Sequence, residues 1–277
     1  MRLFIVQALI LSLLSTHLKA QETSNVRILS SEEVIWTPLN PARGDASPQA
    51  ANIWGDRKKD SATGFLVKFV KGFSSPPHTH NVTYRGVVIK GLLHNDDPDA
   101  AKMWMPGGSF WTQPAGEVHI TAADDSINMA YIEIDSGPYL VLPTEKAMDN
   151  GERPVNIDQS NIVWIKASDS APNVERAYLW GSPKEGKLHG TMLKLPNGFK
   201  GNILTKGGMF HSIVIEGELQ YHSTEENPVG EKAYHSLTPG SYFGSEGKAD
   251  HKISNTSNGA SIIYIRTKGV IEVVSDY

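Results

Sequence analysis

Apolar residues along the chain come in short runs. GFLVKFV (64–70), RGVVIKG (85–91), MAYIEI (129–134), HSIVIEG (211–217) and SIIYIRT (261–267) are rich in β-branched and aromatic side chains. Clusters of Gly, Pro, Asn and Asp separate them at short intervals. Runs of this length and composition, bounded by turn residues, predict β-strands. Past the N-terminal segment no run keeps a helical period for three turns, and only a short helix near Thr144–Met148 is expected. Strands without intervening helices predict an all-β sandwich or barrel rather than a parallel βαβ sheet.

The pattern occurs twice. At one constant offset Trp54-Gly55 recurs as Trp180-Gly181, Gly64 as Gly190, Lys68 as Lys194, Gly72-Phe73 as Gly198-Phe199 and Gly91 as Gly217. After a short insertion GSFW (108–111) matches GSYF (240–243), and His119 matches His251. Two domains are expected, residues 26–138 and 161–277. A polar joint over 139–160, punctuated by Pro143, Gly151 and Pro154, would connect them.

Composition narrows the chemistry. The 277 residues carry a formal charge of −4 and no basic stripe, so nucleic acid is not an expected partner. There is no cysteine, which excludes disulfides, thiolate metal sites and thiol nucleophiles. Arg2, the apolar run 3–14 and Ala20 have the plan of a secretory signal peptide over 1–20. An exported protein, periplasmic or secreted, is expected. The apolar run is too short for a permanent membrane span.

Candidate chemistry concentrates in PPHTHNVTYRGVVIKG (76–91). Side chains two apart in a strand share a face, so His78 and His80 can chelate one ion. Pro76-Pro77 keep the entry extended. The segment resembles the cupin superfamily, small barrels of the double-stranded β-helix (jelly-roll) type. The first cupin motif is Gly, five residues, His-x-His, three or four residues, Glu, six residues, Gly. Here Gly72, His78, His80, Tyr84 and Gly91 fall on that spacing. The second motif is matched by Gly108, Pro114, Gly116 and His119, with Ala123 at its asparagine position.

The resemblance covers both copies and implies a bicupin, two tandem barrels. His78, His80 and His119 would hold one divalent transition metal, zinc or iron, in the first. Tyr84 stands where the family has its glutamate. It could ligate as phenolate, hydrogen-bond a bound water or substrate, or pack in the core. Glu117, sharing strand parity with His119, or Gln113 could replace the missing carboxylate. His94, before NDDPD, reads as a solvent-facing turn residue.

In the second copy the aligned ligands become Leu204, Lys206 and Phe210, with only His251 retained. That argues against a second ion, and Lys206, His211 and His251 could instead line a pocket for a small anion. Three neutral ligands leave the ion its full charge and open positions. The expected function is an exported metal-dependent enzyme acting on a small organic substrate, oxygenase, hydrolase or lyase. Tyr84 or Glu117 would orient substrate or move a proton. The alternative is a non-catalytic metal-dependent binding or sensor protein, as the resemblance to cupins of anti-sigma factors allows. Homo-oligomer formation stays open.

Overall fold

The computed structural model describes residues 25–226 and 232–276. The expected signal peptide lies outside the described residues. Among them no helix is long and apolar enough to cross a membrane. The architecture is all-β. Helical turns are confined to 3-10 pieces at Pro41–Ala46, Thr144–Lys146 and Gln159–Asn161. The expected helix near Thr144–Met148 is therefore a single 3-10 turn.

The first barrel combines a seven-stranded sheet with two small ones. The large sheet runs Val155–Ile157, Phe110–Gln113, Tyr84–Lys90, Asn128–Ile134, Thr63–Phe69, Gln49–Trp54 and Thr37–Pro38. Opposite it lie Ile120–Ala123, Leu92–Asp96 and Met105–Pro106, and the pair Val141–Leu142 with Thr79–His80. The second barrel is one ten-stranded sheet, in which Lys200–Glu216 and Tyr242–Asn255 are long enough to pair on both sides of the fold.

Sheet membership departs from chain position in two places. Asn25–Leu29 adds to Tyr242–Asn255 of the second barrel, although its place in the chain puts it with the first copy. The polar joint is stitched to the first barrel, by Val141 opposite His80 and by Val155–Ile157 along Phe110–Thr112.

The core has three parts. One fills the first barrel, including Phe65, Val88, Trp111 and Ile132. One fills the second, including Leu193, Phe210, Phe243 and Ile263. The third lies between the barrels, where Leu66, Val87 and Tyr131 meet Met192, Ile213 and Tyr264. The strand Tyr84–Lys90 thus has no solvated face. Tyr84 and Val88 point into the barrel and Val87 and Ile89 into the interface. This is why its sequence reads as an apolar run rather than an alternation.

The repeated Trp and Gly residues build that interface. The Trp54 indole donates to the Tyr131 hydroxyl at 2.9 Å, and Trp180 donates to Tyr264 at 2.8 Å. Gly64 and Gly190 leave room for these indoles; a Cβ on either would overlap the Trp ring. Between the two tyrosines sits Glu133, which accepts from Tyr131 (3.2 Å), Tyr264 (2.8 Å) and Arg266 (3.2 Å). Glu133 and Arg266 are 1% and 2% exposed. Outside this centre the His211 ring stacks on Trp54 at 4.1 Å, and Arg85 lies over Trp180 at 3.8 Å.

Candidate metal centre

His78 and His119 face each other in an antiparallel bridge, with N–H···O bonds of 3.1 and 3.0 Å both ways. His80 follows on the same face, in the strand closed by Val141–Leu142. Gly116 sets the turn between these pieces. Its φ of 79° suits glycine, its N–H reaches the His80 carbonyl at 2.8 Å, and a Cβ would strike Met148.

The structure brings the three predicted histidines together. One ligand nitrogen from each lies within 4.8 Å of the others, in the one such group found among the described residues. Ions bind imidazole nitrogen at about 2.0–2.1 Å, so a small inward rotation of the rings completes a shared site. Each Nδ1 meets a backbone carbonyl: Pro76 for His78 (2.9 Å), Leu140 for His80 (2.9 Å) and Glu117 for His119 (3.3 Å). A carbonyl only accepts, so each Nδ1 carries the proton and each Nε2 keeps its lone pair. Burial also favours the neutral rings. It drives His119 down to about 3, His80 well below its ordinary value and His78 lower too, with the neighbouring imidazoles adding to the effect at His80 and His119.

Tyr84 is held with its oxygen toward this cluster. The backbone carbonyl of Glu117 accepts from Gln113 Nε2 at 3.3 Å, and Gln113 Oε1 accepts from Asn95 Nδ2 at 2.9 Å. Asn95 Oδ1 is thereby turned to accept the Tyr84 hydroxyl at 2.8 Å, alongside Thr121. The phenol proton is committed to Asn95, yet its oxygen lies 3.2 Å from His119 Nε2. Two lone pairs therefore face each other, an arrangement that a cation between them relieves. Burial pushes the Tyr84 phenol well above its ordinary value, so it stays protonated rather than becoming a phenolate. The residues fit a divalent ion.

Two neighbours escaped the sequence reading. Tyr139, in the joint, stacks on His80 at 4.4 Å and places its hydroxyl 3.3 Å from His80 Nε2. Asn95 lies in a segment that reads as the start of a loop. The usable signal was YLVL (139–142), a short apolar run placed after the repeat like IEVVS (271–275) in the second copy.

Glu117 contributes its carbonyl, while its carboxylate lies outside the histidine cluster. It lines a surface cleft of about 430 Å³ with Met148, Asn150 and Arg153. The segment is a turn and not a strand, so parity with His119 does not orient it. Burial raises its carboxyl from the ordinary range, and one oxygen has no protein partner.

Two expectations are corrected. His94 is not a solvent-facing turn residue. It is 1% exposed in the strand Leu92–Asp96, edge-on to Trp104, because the loop begins only at Asp97. Nor do Lys206, His211 and His251 share a pocket. Phe210 stacks on His251 inside the second barrel, so its neighbour His211 faces the interface, and Lys206 pairs with Glu272 on the surface. His251 is held at both nitrogens, by Tyr221 and Ser245 hydroxyls at 3.0 Å each.

Solved structures share this fold. A candidate dioxygenase from Nostoc punctiforme matches with a TM-score of 0.68 at 11% identity, over 91% of this chain and 87% of that one. Oxalate decarboxylase from Lactobacillus farciminis, in a formate complex, gives 0.57 at 10% identity, over 90% and 88%. AerE from Microcystis aeruginosa gives 0.56 at 14% identity, over 84% and 96%. At such identities the likeness shows the fold alone, the double-stranded β-helix of the cupins. No curated protein matches the sequence. A family described as a domain of unknown function, DUF4437, matches residues 27–274, and the chain belongs to that family.

Proposed function

We propose that this chain is an exported, metal-dependent bicupin enzyme that acts on a small organic substrate at its first barrel. The observation that carries the reading is the convergence of three neutral imidazoles, each with Nδ1 tied to a carbonyl and Nε2 turned inward. A divalent ion held there keeps its full charge and open positions, and supplies Lewis acidity or, with iron, one-electron chemistry. His78 is the least buried of the three and marks the side from which substrate enters. Tyr84 keeps its proton on Asn95 and turns an oxygen lone pair toward the place of the ion beside His119, where it would add a neutral oxygen donor. Tyr139 covers His80 and excludes water from that flank. Likeness to a candidate dioxygenase and to oxalate decarboxylase supports oxygenase or lyase chemistry ahead of hydrolysis. Export rests on the leader-like residues 1–20.

The histidine cluster contains no carboxylate among the described residues. That favours a second reading, a metal-dependent carrier or sensor of a small molecule.

Elemental analysis of the purified chain and of His80→Ala tests the ion. About one transition metal per chain, lost in the variant, is expected, and its absence from carefully prepared protein sinks the proposal. Oxygen uptake or carbon dioxide release across a panel of diketones and small carboxylic acids then separates the readings. Tight binding without turnover selects the carrier.

A further inference from the structure

The second barrel keeps none of the metal ligands except His251, yet it buries an arginine, Arg176, at a position where the first copy has Ala50. Arg176 lies on the strand Ala171–Gly181 and His189 on its neighbour Leu188–Leu195. Val174, Leu193 and Leu195 belong to the core of the second barrel. By strand alternation Arg176 and His189 point into the same interior. They are 8% and 2% exposed.

The repeat shows that the fold does not require them. At the constant offset Arg176 corresponds to Ala50 and His189 to Thr63, both buried. The repeat also locates them. Arg176 reaches the carbonyl of Ile271, at the start of the strand that pairs with Gly201–Thr205. That pairing mirrors Val141–Leu142 on Thr79–His80 in the first barrel. Arg176 therefore sits at the end of its barrel that corresponds to the histidine end of the first.

The guanidinium is poorly satisfied. Nη1 donates to the Tyr178 hydroxyl at 3.3 Å and Nη2 to Ile271 O at 3.4 Å, both long bonds to neutral oxygens. Nε has no partner. No carboxylate among the described residues forms an ion pair with Arg176. A buried charge without a counter-charge is costly. Here the weakly used atoms, Nε and Nη2, form one side of the guanidinium, the edge that grips a carboxylate with two parallel bonds.

We propose that this end of the second barrel binds a small carboxylate on the Nε–Nη2 edge of Arg176, with His189 beside it. One buried cation without a counter-charge matches one negative charge, which favours a carboxylate over a phosphate dianion. Tyr178, exposed and bonded to Nη1, links the buried guanidinium to the surface. The site is independent of the histidine cluster, so its occupancy does not depend on a metal there.

The test is calorimetric titration of the full chain with sodium acetate after chelator treatment, at fixed ionic strength against sodium chloride. Wild type and His80→Ala should each bind one acetate per chain. Arg176→Met should lose at least tenfold in affinity, and so should Arg176→Lys, which keeps the charge but not the fork. Without acetate, Arg176→Met should melt no lower than wild type, because it removes an uncompensated charge; a purely structural arginine would give a lower melting temperature. If Arg176→Met does not fold, Arg176→Lys carries the comparison. Absence of saturable acetate binding, binding unchanged in the Arg176 variants, or binding lost in His80→Ala would each overturn the proposal.

Discussion

Backbone carbonyls decide the tautomers of the histidine site, and a chain of amides decides where its tyrosine proton points. The Gly, His and Pro spacing of the motifs made His78, His80 and His119 legible, because ligands two apart on a strand need no tertiary information. The direction of the Tyr84 proton was not legible, since it depends on Gln113 and Asn95 meeting across the barrel. His251 shows the same limit, for a surviving motif histidine proves to be a core residue braced by two hydroxyls. Its burial has a measurable consequence. Desolvation lowers its pKa to about 4 in the folded chain, against about 6.5 when unfolded. The unfolded state therefore binds the extra proton first, and stability present above pH 6.5 is lost as the pH falls toward 4. The loss is about 3 kcal/mol at one pKa unit per 1.36 kcal/mol. Urea unfolding at pH 7 and pH 4.5 should show it, and His251→Gln should flatten the slope. An equal acid sensitivity in that variant would assign the effect to other groups.

Among the elements, strands buried on both faces were easy to read and joints were hard. Tyr84–Lys90 and Asn128–Ile134 are apolar enough to announce themselves. The segment 139–160 is polar on balance, which conceals two short pieces that complete the first barrel. Polarity reports solvent exposure averaged over a segment, whereas the contribution of this one comes from a single ring and a single carbonyl. Tyr139 stacks on His80, and Leu140 O fixes the His80 tautomer. Partners that orient a ligand typically affect metal affinity 10–100-fold. Tyr139→Ala should accordingly release metal about 10–100-fold more readily in a chelator competition. Tyr139→Phe, which keeps the stacked ring, should retain most of the affinity. Equal metal retention in both variants would mean that the joint covers the site without ordering it.

For the whole molecule, duplication was plain in the sequence but the device joining the copies was not. Trp54 and Trp180, with Gly64 and Gly190, repeat faithfully because each indole needs a bare backbone beneath it. Glu133 and Arg266 hold corresponding places beside Tyr131 and Tyr264, yet carry opposite charges. A symmetric pair of like charges at the centre of the interface would repel, so divergence at this position lets the copies attract. The pair is buried and shares its oxygens with two tyrosines. Removing one partner strands the other charge, and Arg266→Met should cost about 3–5 kcal/mol. Replacing both, Arg266→Met with Glu133→Leu, should recover only part of that loss, because it removes the stranded charge but leaves the Tyr131 and Tyr264 hydroxyls without their acceptor and Asp135 without Arg266. The interface core ties the two barrels together, so both variants should unfold in a single transition monitored by tryptophan fluorescence and far-ultraviolet dichroism. Two separate transitions in the Arg266→Met chain alone would show instead that this ion pair, rather than the surrounding apolar contacts, is what couples the barrels.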